Sequence, residues 1–422
     1  MLKQETVFHR ETLDNGLTVI GEVLPEARSV AVGYFVRTGA RDERVTEPGA
    51  PDNESGLSHF LEHMLFKGND TLSAFDINRR FDELGANYNA FTSEEVTVYH
   101  GAVLAHSAFE LLELFSQMMR PALREEDFRI EQQVILEEIE MYRDNPQARL
   151  FDEARPAYYG THPLGHSVLG SSASVRGLTP QVMRDYWHRR YAPDNLTLAV
   201  SGRFDWNELL RWARTLTQDW VPAGQAGRAY PEFRPQPRRH LLEDDSLNRA
   251  SVALMMPGLP ASSALRDAAN VLAEAIGGEN GRLYWALMDE GLADAAQLGH
   301  VDEDGLGHFE GFLSSDPERA QENLEVFLQV LREVQDQGLT ESEVARARRK
   351  LAVGSALRAE TPYNRLFSLG IEWLYTGRYV SPQEAVARVN AVTVQDVQRI
   401  LEGRPFDTVS ITALGPAGTL TF

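Results

Sequence analysis

Two stretches of the chain have the continuous apolar pattern of a buried strand. They are SVAVGYFV at residues 29–36 and ASVALMMPG at residues 250–258, and short apolar runs of this kind are typical of strands packed inside a sheet. Charged helical patterns begin at residues 123–135 and again at 339–351, and both open with residues that favour a helix start. The pattern therefore predicts strands and helices in each half of the chain.

Further segments repeat in the same order. Residues 174–187 parallel residues 388–400, and residues 195–205 parallel residues 407–418. The matched segments recur at a spacing of about 210–220 residues, which indicates an internal duplication of one α+β unit. We therefore expect two similar halves.

The stretch between the halves has a different composition. Residues 221–239, VPAGQAGRAYPEFRPQPRR, are rich in Pro, Gly and Arg and lack helix or strand periodicity. Such a segment is typical of a linker. It divides the chain into a first domain over 1–220 and a second over 240–422.

Composition narrows the possible functions. The 422 residues are 43% hydrophobic and 24% charged, which is typical of a globular protein. The chain has no cysteine, so disulfides and thiolate–metal sites are excluded. The net charge of −21 disfavours nucleic acid and anionic membranes as partners. The N-terminus lacks the apolar region of a secretion signal and no stretch of 18 apolar residues occurs, so we expect a cytoplasmic protein without membrane spans.

Residues 59–63 read HFLEH. On a helix, His59 and His63 lie one turn apart on the same face, and two imidazoles in this arrangement can bind one metal ion. Glu62 lies on nearly the same face and can reach a metal-bound water without being a ligand. Two histidines at helical spacing also arise by chance, so the motif alone leaves an ordinary helix face as the alternative.

A second segment favours the metal site. The stretch EQQVILEEIEMYRD starts at Glu131 and has a helical pattern, with Val134, Ile135 and Ile139 on an apolar face. Glu131 and Glu138 are two helical turns apart and share a face. One carboxylate from this helix would complete a catalytic zinc site with an open position, although a solvated charged face is the alternative. Spacing alone does not choose among Glu137, Glu138 and Glu140.

At these residues the chain resembles the pitrilysin-type inverzincin peptidases, which carry the inverted motif H-x-x-E-H. It is most similar to the branch of mitochondrial processing peptidase and its small bacterial relatives, over essentially all 422 residues. The segments that carry the resemblance are LDNGLTVI at 13–20, GLSHFLEHMLFKGND at 56–70, GANYNAFTSEEVTVY at 85–99, VILEEIEMYRDNP at 134–146 and HPLGHSVLG at 162–170.

The resemblance implies roles for the candidate residues. His59, His63 and Glu138 would be the ligands of one zinc ion per chain, and Glu62 would be the general base that activates the attacking water. Glu131 matches the family's additional carboxylate, which supports the zinc site. The implied activity is that of a zinc metalloendopeptidase acting on short or unfolded peptides.

The resemblance also implies an architecture. The expected fold is α+β, with two homologous halves that close like a clamshell around a cavity. Each half would have an antiparallel-rich sheet with helices on one face. Asn89, Ala90 and Phe91 would belong to an edge strand facing the zinc, to which an extended peptide substrate can add through main-chain hydrogen bonds. A plain hairpin strand packed in the sheet is the alternative.

One departure from the family bears on partners. Self-sufficient members carry an Arg and a Tyr, seven residues apart, that contact the substrate and help to stabilise the oxyanion. Here the matching positions are Leu287 and Asp294, and neither Arg282 nor Tyr284 stands in the matching register. The chain therefore looks like the zinc-bearing subunit of a heterodimer whose homologous partner supplies the pair. A self-sufficient homodimer and a non-catalytic scaffold subunit are the alternatives.

Overall fold

The computed structural model describes residues 6–48, 50, 52–224 and 226–421. These residues form two compact units, each built from separate stretches of the chain. Unit 1 contains the described residues up to Glu140, together with His166–Ala229 and Arg358–Val380. Unit 2 contains Met141–Gly165, Tyr230–Leu357 and the described residues from Ser381 onward.

The secondary structure of the described residues consists of strands and α-helices joined by turns, loops, 3-10 segments and one π-helical segment at Tyr284–Met288. The strands are β1 (Val7–Thr12), β2 (Thr18–Val23), β3 (Ser29–Val36), β4 (Asn87–Thr92), β5 (Thr97–Leu104), β6 (Leu196–Gly202), β7 (Arg239–Glu243), β8 (Ala250–Pro257), β9 (Ala295–Asp302), β10 (Gly307–Ser315) and β11 (Ser410–Gly415). The helices are α1 (Leu57–Leu65), α2 (Ala74–Leu84), α3 (Ala108–Met118), α4 (Glu125–Arg143), α5 (Pro146–Tyr159), α6 (Ser172–Gly177), α7 (Pro180–Arg190), α8 (Trp206–Leu216), α9 (Arg266–Gly277), α10 (Ala320–Gln337), α11 (Glu341–Arg358), α12 (Pro362–Thr376), α13 (Pro382–Ala391) and α14 (Val394–Glu402).

Each unit contains one mixed sheet. Unit 1 has the strand order β1-β2-β6-β3-β5-β4, in which only β2 and β6 run parallel. Unit 2 has the order β7-β11-β8-β10-β9, in which only β7 and β11 run parallel. The predicted α+β fold with two antiparallel-rich sheets is therefore confirmed, and the predicted buried strands are β3 and β8.

Strand β3 shows how the sheet of unit 1 is covered. Side chains alternate across a strand, and Val30, Val32 and Tyr34 point into the large core that also contains Phe60 of α1. Phe35 points to the opposite face, where it belongs to a smaller core with residues of α12. The sequence predicted helices on one face of each sheet, and the structure adds a helix on the second face.

The sheet of unit 2 is covered in the same way. Val252 and Leu254 of β8 face a core formed with α9, α10 and α14. Ala253 and Met255 face the other side, where Leu150 of α5 is buried. Thus α5, from the first half of the sequence, covers the sheet of unit 2, and α12, from the second half, covers the sheet of unit 1.

A buried ion pair accompanies α12 on the sheet of unit 1. Glu22 of β2 is fully buried, and its two carboxylate oxygens accept hydrogen bonds of 2.7 Å from Nε and Nη2 of Arg365. The hydroxyl of Tyr379 donates a third hydrogen bond of 2.7 Å to Glu22. Residues that are 343 positions apart in the sequence therefore meet in one core.

The predicted linker contains one of the places where the chain passes between the units, after Ala229. The described residues of 221–238 form no helix or strand. Part of the segment is nevertheless anchored, because the buried guanidinium of Arg228 pairs with Asp42 at 2.8 Å. The sequence pattern did not indicate the other four passages, which enclose α5 and α12. Every helix within the described ranges is too short or too polar to cross a lipid bilayer.

Candidate metal centre

Helix α1 carries the HFLEH motif, and its start is fixed by the chain around it. Gly56 precedes the helix with a φ of 86°, in the left-handed region that favours glycine. The carboxylate of Glu43 accepts hydrogen bonds from the N–H groups of Gly56 (2.9 Å) and Ser58 (2.7 Å). A carboxylate at this end satisfies free amides and interacts favourably with the helix dipole.

The structure brings three predicted ligands together. Nε2 of His59 and Nε2 of His63 each lie 3.7 Å from Oε2 of Glu138 on α4. The ligand atoms of all three residues lie within 4.8 Å of one another. These separations are too long for hydrogen bonds, so the three groups converge on a common point without bonding each other.

This geometry fits a zinc ion. Zinc bonds of about 2.0–2.2 Å in a tetrahedral site place neighbouring ligand atoms about 3.3–3.6 Å apart, close to the separations observed here. Two imidazoles and one carboxylate are a donor set found in catalytic zinc sites with one position open. No other cluster of three or more His, Asp or Glu side chains compact enough for a metal ion occurs in the described ranges.

The structure also shows which of the three candidate glutamates of α4 faces the histidines. Glu138 is the one that faces both histidines. Glu137 is exposed and accepts a hydrogen bond from Gln133, whereas Glu140 accepts one from the hydroxyl of Ser172. The choice that the family resemblance implied is therefore the one that the geometry supports.

Glu131 contacts His63 at the ring nitrogen that does not face Glu138. Its Oε2 lies 3.1 Å from Nδ1 of His63, which leaves Nε2 directed toward Glu138. Its other oxygen pairs with the ammonium group of Lys67. Burial raises the pKa of Glu131, but the hydrogen bonds with His63 and Lys67 outweigh this and hold the pKa below its usual value. A carboxylate that orients a histidine ligand is a common partner of a metal centre.

The two histidines have different electrostatic surroundings. Burial, with a contribution from His63, lowers the pKa of His59 to about 3, so its ring is neutral as metal binding requires. Burial also acts to lower the pKa of His63. The hydrogen bond with Glu131 and the charges of Glu138 and Glu62 outweigh burial, and the pKa of His63 is raised.

Glu62 is buried next to the cluster and does not belong to it. Its Oε2 accepts a hydrogen bond of 2.6 Å from the hydroxyl of Thr92. Burial raises the pKa of Glu62, and the bond from Thr92 partly opposes this. A carboxyl whose pKa is moved toward neutrality is suited to accept and return a proton.

Strand β4 is an edge strand of the sheet in unit 1, since it pairs with β5 alone in the strand order. Within it, Asn89 and Phe91 are exposed and the side chain of Ala90 is buried. The N–H of Ala90 donates a hydrogen bond of 2.9 Å to Oδ1 of Asn89. The strand ends at Thr92, whose side chain contacts Glu62, so the predicted peptide-binding strand lies beside the candidate base.

Two residues of the site were missed from the sequence. Thr92 donates to Glu62, and Lys67 pairs with Glu131. Lys67 lies two residues beyond the end of α1, so helical spacing did not indicate it, and its pairing with Glu131 depends on where this turn meets α4. The contact of Thr92 with Glu62 likewise depends on the packing of β4 against α1.

One sequence prediction about α4 is wrong. Ile135 and Ile139 are buried as predicted, but Val134 is 42% exposed. Residues four apart share a helix face, and Ile135 and Ile139 satisfy this spacing. Val134 instead shares its face with Ile130, which is 56% exposed.

The positions that match the family's Arg/Tyr pair provide no donor. Leu287 is fully buried in the core of unit 2. Asp294 forms an ion pair with Arg249 at 3.1 Å. Arg282 is paired with Glu343, with contacts of 2.7 and 3.2 Å.

Comparison with known families identifies the two halves. Residues 18–172 match the family described as insulinase (peptidase family M16), and residues 177–351 match the family described as peptidase M16 inactive domain. The chain belongs to peptidase family M16. The resemblance inferred from the motifs is thereby confirmed.

Relatives of this M16 chain match it along nearly its full length. An uncharacterized zinc protease of Mycobacterium tuberculosis is 31% identical, over 97% of this chain and 93% of the relative. The uncharacterized zinc protease YmxG of Bacillus subtilis is 28% identical, over 98% of this chain and 100% of the relative. Both relatives are named as zinc proteases.

Solved structures share the fold. A protease from Helicobacter pylori superposes with a TM-score of 0.89 at 20% identity, covering 98% of this chain and 100% of that one. An M16-like peptidase from Alicyclobacillus acidocaldarius superposes with a TM-score of 0.85 at 22% identity, covering 99% of this chain and 100% of that one. Both likenesses concern the fold of the M16 chain.

Proposed function

We propose that this M16 chain is a zinc metalloendopeptidase that hydrolyses short or unfolded peptides. The observation that carries the proposal is the convergence of His59, His63 and Glu138 beside the buried carboxyl of Glu62. The relatives named zinc proteases support zinc as the metal. We assign one zinc ion to each chain, held by these three ligands.

The chemistry divides between the metal and the chain. When bound, zinc acts as a Lewis acid that lowers the pKa of a water molecule and polarises a carbonyl group. Glu62 accepts the proton that the attacking water loses, and then delivers it to the departing amine. Glu131 holds the ring of His63 in the orientation in which Nε2 faces the metal.

The substrate binds, in this proposal, as an added strand along β4. An edge strand offers main-chain donors and acceptors, which bind an extended peptide whatever its side chains. Asn89, Ala90 and Phe91 form the contact, and Asn89 releases the N–H of Ala90 that it now accepts. This mode favours short or unfolded peptides over folded proteins.

Completion of the active site requires a partner in this proposal. Leu287 is buried and Asp294 carries a negative charge where the family has a donor to the oxyanion. Removing such a donor typically costs about 10²–10³-fold in turnover. We therefore infer a heterodimer in which a homologous subunit supplies the Arg/Tyr pair. A non-catalytic scaffold role is disfavoured because the ligand set is intact.

The test combines metal analysis with peptide hydrolysis. Wild type should contain one zinc per chain, Glu138→Gln should lose most of it, and Glu137→Gln, a matched change at the exposed neighbour, should keep it. Glu62→Gln should keep zinc and lose hydrolysis. No zinc in the wild type, or turnover by zinc-loaded Glu62→Gln, would contradict the proposal.

The partner is tested separately. The purified chain should be nearly inactive alone and should gain hydrolysis when mixed with a homologous subunit that bears the Arg/Tyr pair. Full zinc-dependent hydrolysis by the chain alone would support the self-sufficient homodimer instead. Zinc without turnover in any pairing would favour the scaffold role.

A further inference from the structure

The carboxylate of Glu62 is held by a side chain from another element. Thr92 is the last residue of β4, and its Oγ1 donates a hydrogen bond of 2.6 Å to Oε2 of Glu62 on α1. Thr92 is paired with Thr97 across the hairpin. The hydroxyl of Thr97 donates to the carbonyl of Thr38 at 3.0 Å, so its proton is committed elsewhere. The proton of Thr92 is left for Glu62.

The turn after Thr92 is anchored to a neighbouring segment. The N–H groups of Ala40 and Arg41 donate to the carbonyls of Ser93 (3.2 Å) and Glu94 (2.8 Å). A Cβ atom at Gly39 would lie 2.3 Å from the carbonyl oxygen of Ser93, so the close approach requires glycine. These contacts fix the end of β4.

The same segment, residues 38–43, also holds helix α1. Glu43 accepts the first amides of the helix, as described above. The hydroxyl of Tyr186 bridges Oγ of Ser58 (2.6 Å) and Oγ1 of Thr38 (3.0 Å). The helix that carries Glu62 and the strand end that carries Thr92 are therefore both positioned against one piece of backbone.

We propose that Thr92 is a positioning residue for Glu62. Its hydroxyl fixes one carboxylate oxygen, so that the other remains available for proton transfer. Because Thr92 ends the strand to which the peptide adds, it also connects substrate binding with the alignment of the base. The inference rests on the proposed function, in which Glu62 is the general base.

The arrangement explains why a threonine at position 92 is suited to hold the carboxylate of Glu62. A glutamate side chain has three rotatable bonds. Without a restraining contact, its carboxylate populates several orientations, and only some of them suit proton transfer. A β-branched side chain at the end of a strand has few rotamers, so its hydroxyl is well placed to restrain a flexible acid. A hydrogen bond to a charged group is also stronger than one between neutral groups.

The test uses acetohydroxamate as a probe that needs neither a partner subunit nor turnover. The probe binds a metal through its two oxygens and presents a proton to a neighbouring carboxylate. The chain is loaded with Co²⁺, which accepts the same ligand types as zinc, and binding is followed by the visible absorption of the cobalt. Metal content is measured on every sample.

The variants test the contribution of the Thr92 hydroxyl alone. Thr92→Val removes it at nearly constant shape and should weaken acetohydroxamate binding about tenfold, with metal content unchanged. Thr92→Ser keeps the hydroxyl and should restore binding. Thr97→Val removes a hydroxyl at the paired position without touching Glu62, and should have a smaller effect. Thr92→Ala is the second loss variant if the valine variant misfolds.

A double-mutant cycle shows whether Thr92 acts through Glu62. If it does, Thr92→Val should cause no further loss in a Glu62→Gln background. Three outcomes would overturn the inference and leave the proposed function intact. They are unchanged binding in Thr92→Val, equal losses in the valine and serine variants, and additive losses in the cycle. A wild-type chain that binds no Co²⁺ would overturn both.

In a preparation that hydrolyses peptides, the same pair of variants gives a second measurement. Thr92→Val should lower kcat about tenfold with KM nearly unchanged, and Thr92→Ser should restore kcat. A change confined to KM would mean that Thr92 serves the strand and not the base, which would overturn the inference.

Discussion

The buried pair of Glu22 and Arg365 provides a strong test of how unit 1 is built. Arg365→Met removes a guanidinium whose two nitrogens lie 2.7 Å from the two oxygens of Glu22. Glu22 is fully buried and Arg365 is 4% exposed, so solvent screens the pair very little. After the change, Tyr379 remains as a hydrogen-bond donor to Glu22.

The expected cost follows from this burial. Removing one partner of a buried ion pair costs about 3–5 kcal/mol, because the other charge stays buried without compensation. A kilocalorie lowers the melting temperature of a domain of 150–250 residues by about 2–4 °C, so unit 1 should melt about 6–20 °C lower. Replacing both partners, as in Glu22→Leu/Arg365→Met, should cost less than the single change.

The assay is urea unfolding followed by tryptophan fluorescence. Five of the six tryptophans lie in unit 1 and only Trp285 lies in unit 2, so the signal reports mainly on unit 1. Arg378→Met is the matched control, because Arg378 is exposed in the same segment. A loss below about 1 kcal/mol in Arg365→Met, the range of an exposed pair, would refute the reasoning.

Two further predictions concern one charged group in each unit, Lys67 in unit 1 and Glu303 in unit 2. Lys67→Met should weaken zinc binding about tenfold in a chelator competition, because Glu131 loses the ammonium partner that helps it to orient His63; unchanged affinity would mean that Glu131 holds His63 unaided. Glu303 is buried, and although burial acts to raise its pKa, Arg155, His308 and the hydroxyl of Tyr159 hold the pKa well below its usual value of 4.5. The unfolded chain therefore takes up this proton first, so stability should fall as pH decreases below 4.5. Glu303→Gln should be less stable than wild type at pH 7 and lose less on acidification in urea melts, and parallel pH profiles would contradict the assignment.

The sequence predicted those parts of the molecule that depend on local pattern. The apolar run at 29–36 is strand β3 with the same bounds. The i, i+4 histidines lie on one helix, and the α4 carboxylate implied by the resemblance faces them. Helical and strand periods follow directly from side-chain positions, so such features are readable without tertiary information.

Features that depend on which helices and strands pack against each other could not be predicted from the sequence. The apolar pattern of α12 shows that it has a buried face, but not that this face packs on a sheet from the first half of the chain. Glu22 appears in the sequence as an ordinary polar strand residue, and its burial is explained only by its distant partners Arg365 and Tyr379. The role of Thr92 is likewise set by the approach of a strand end to a helix.

The placement of α12 has a consequence for how the chain is made. Synthesis proceeds from the N-terminus, so every metal ligand and all six strands of the first sheet leave the ribosome before residues 358–380 do. Until then the face of the sheet that includes Ile20, Ala31 and Phe35 has no cover, and exposed apolar surface of this kind makes a nascent chain prone to aggregation. The first unit is therefore finished only when nearly the whole chain has been translated, and a product terminated in the second half would carry the complete zinc motif on an unfinished core.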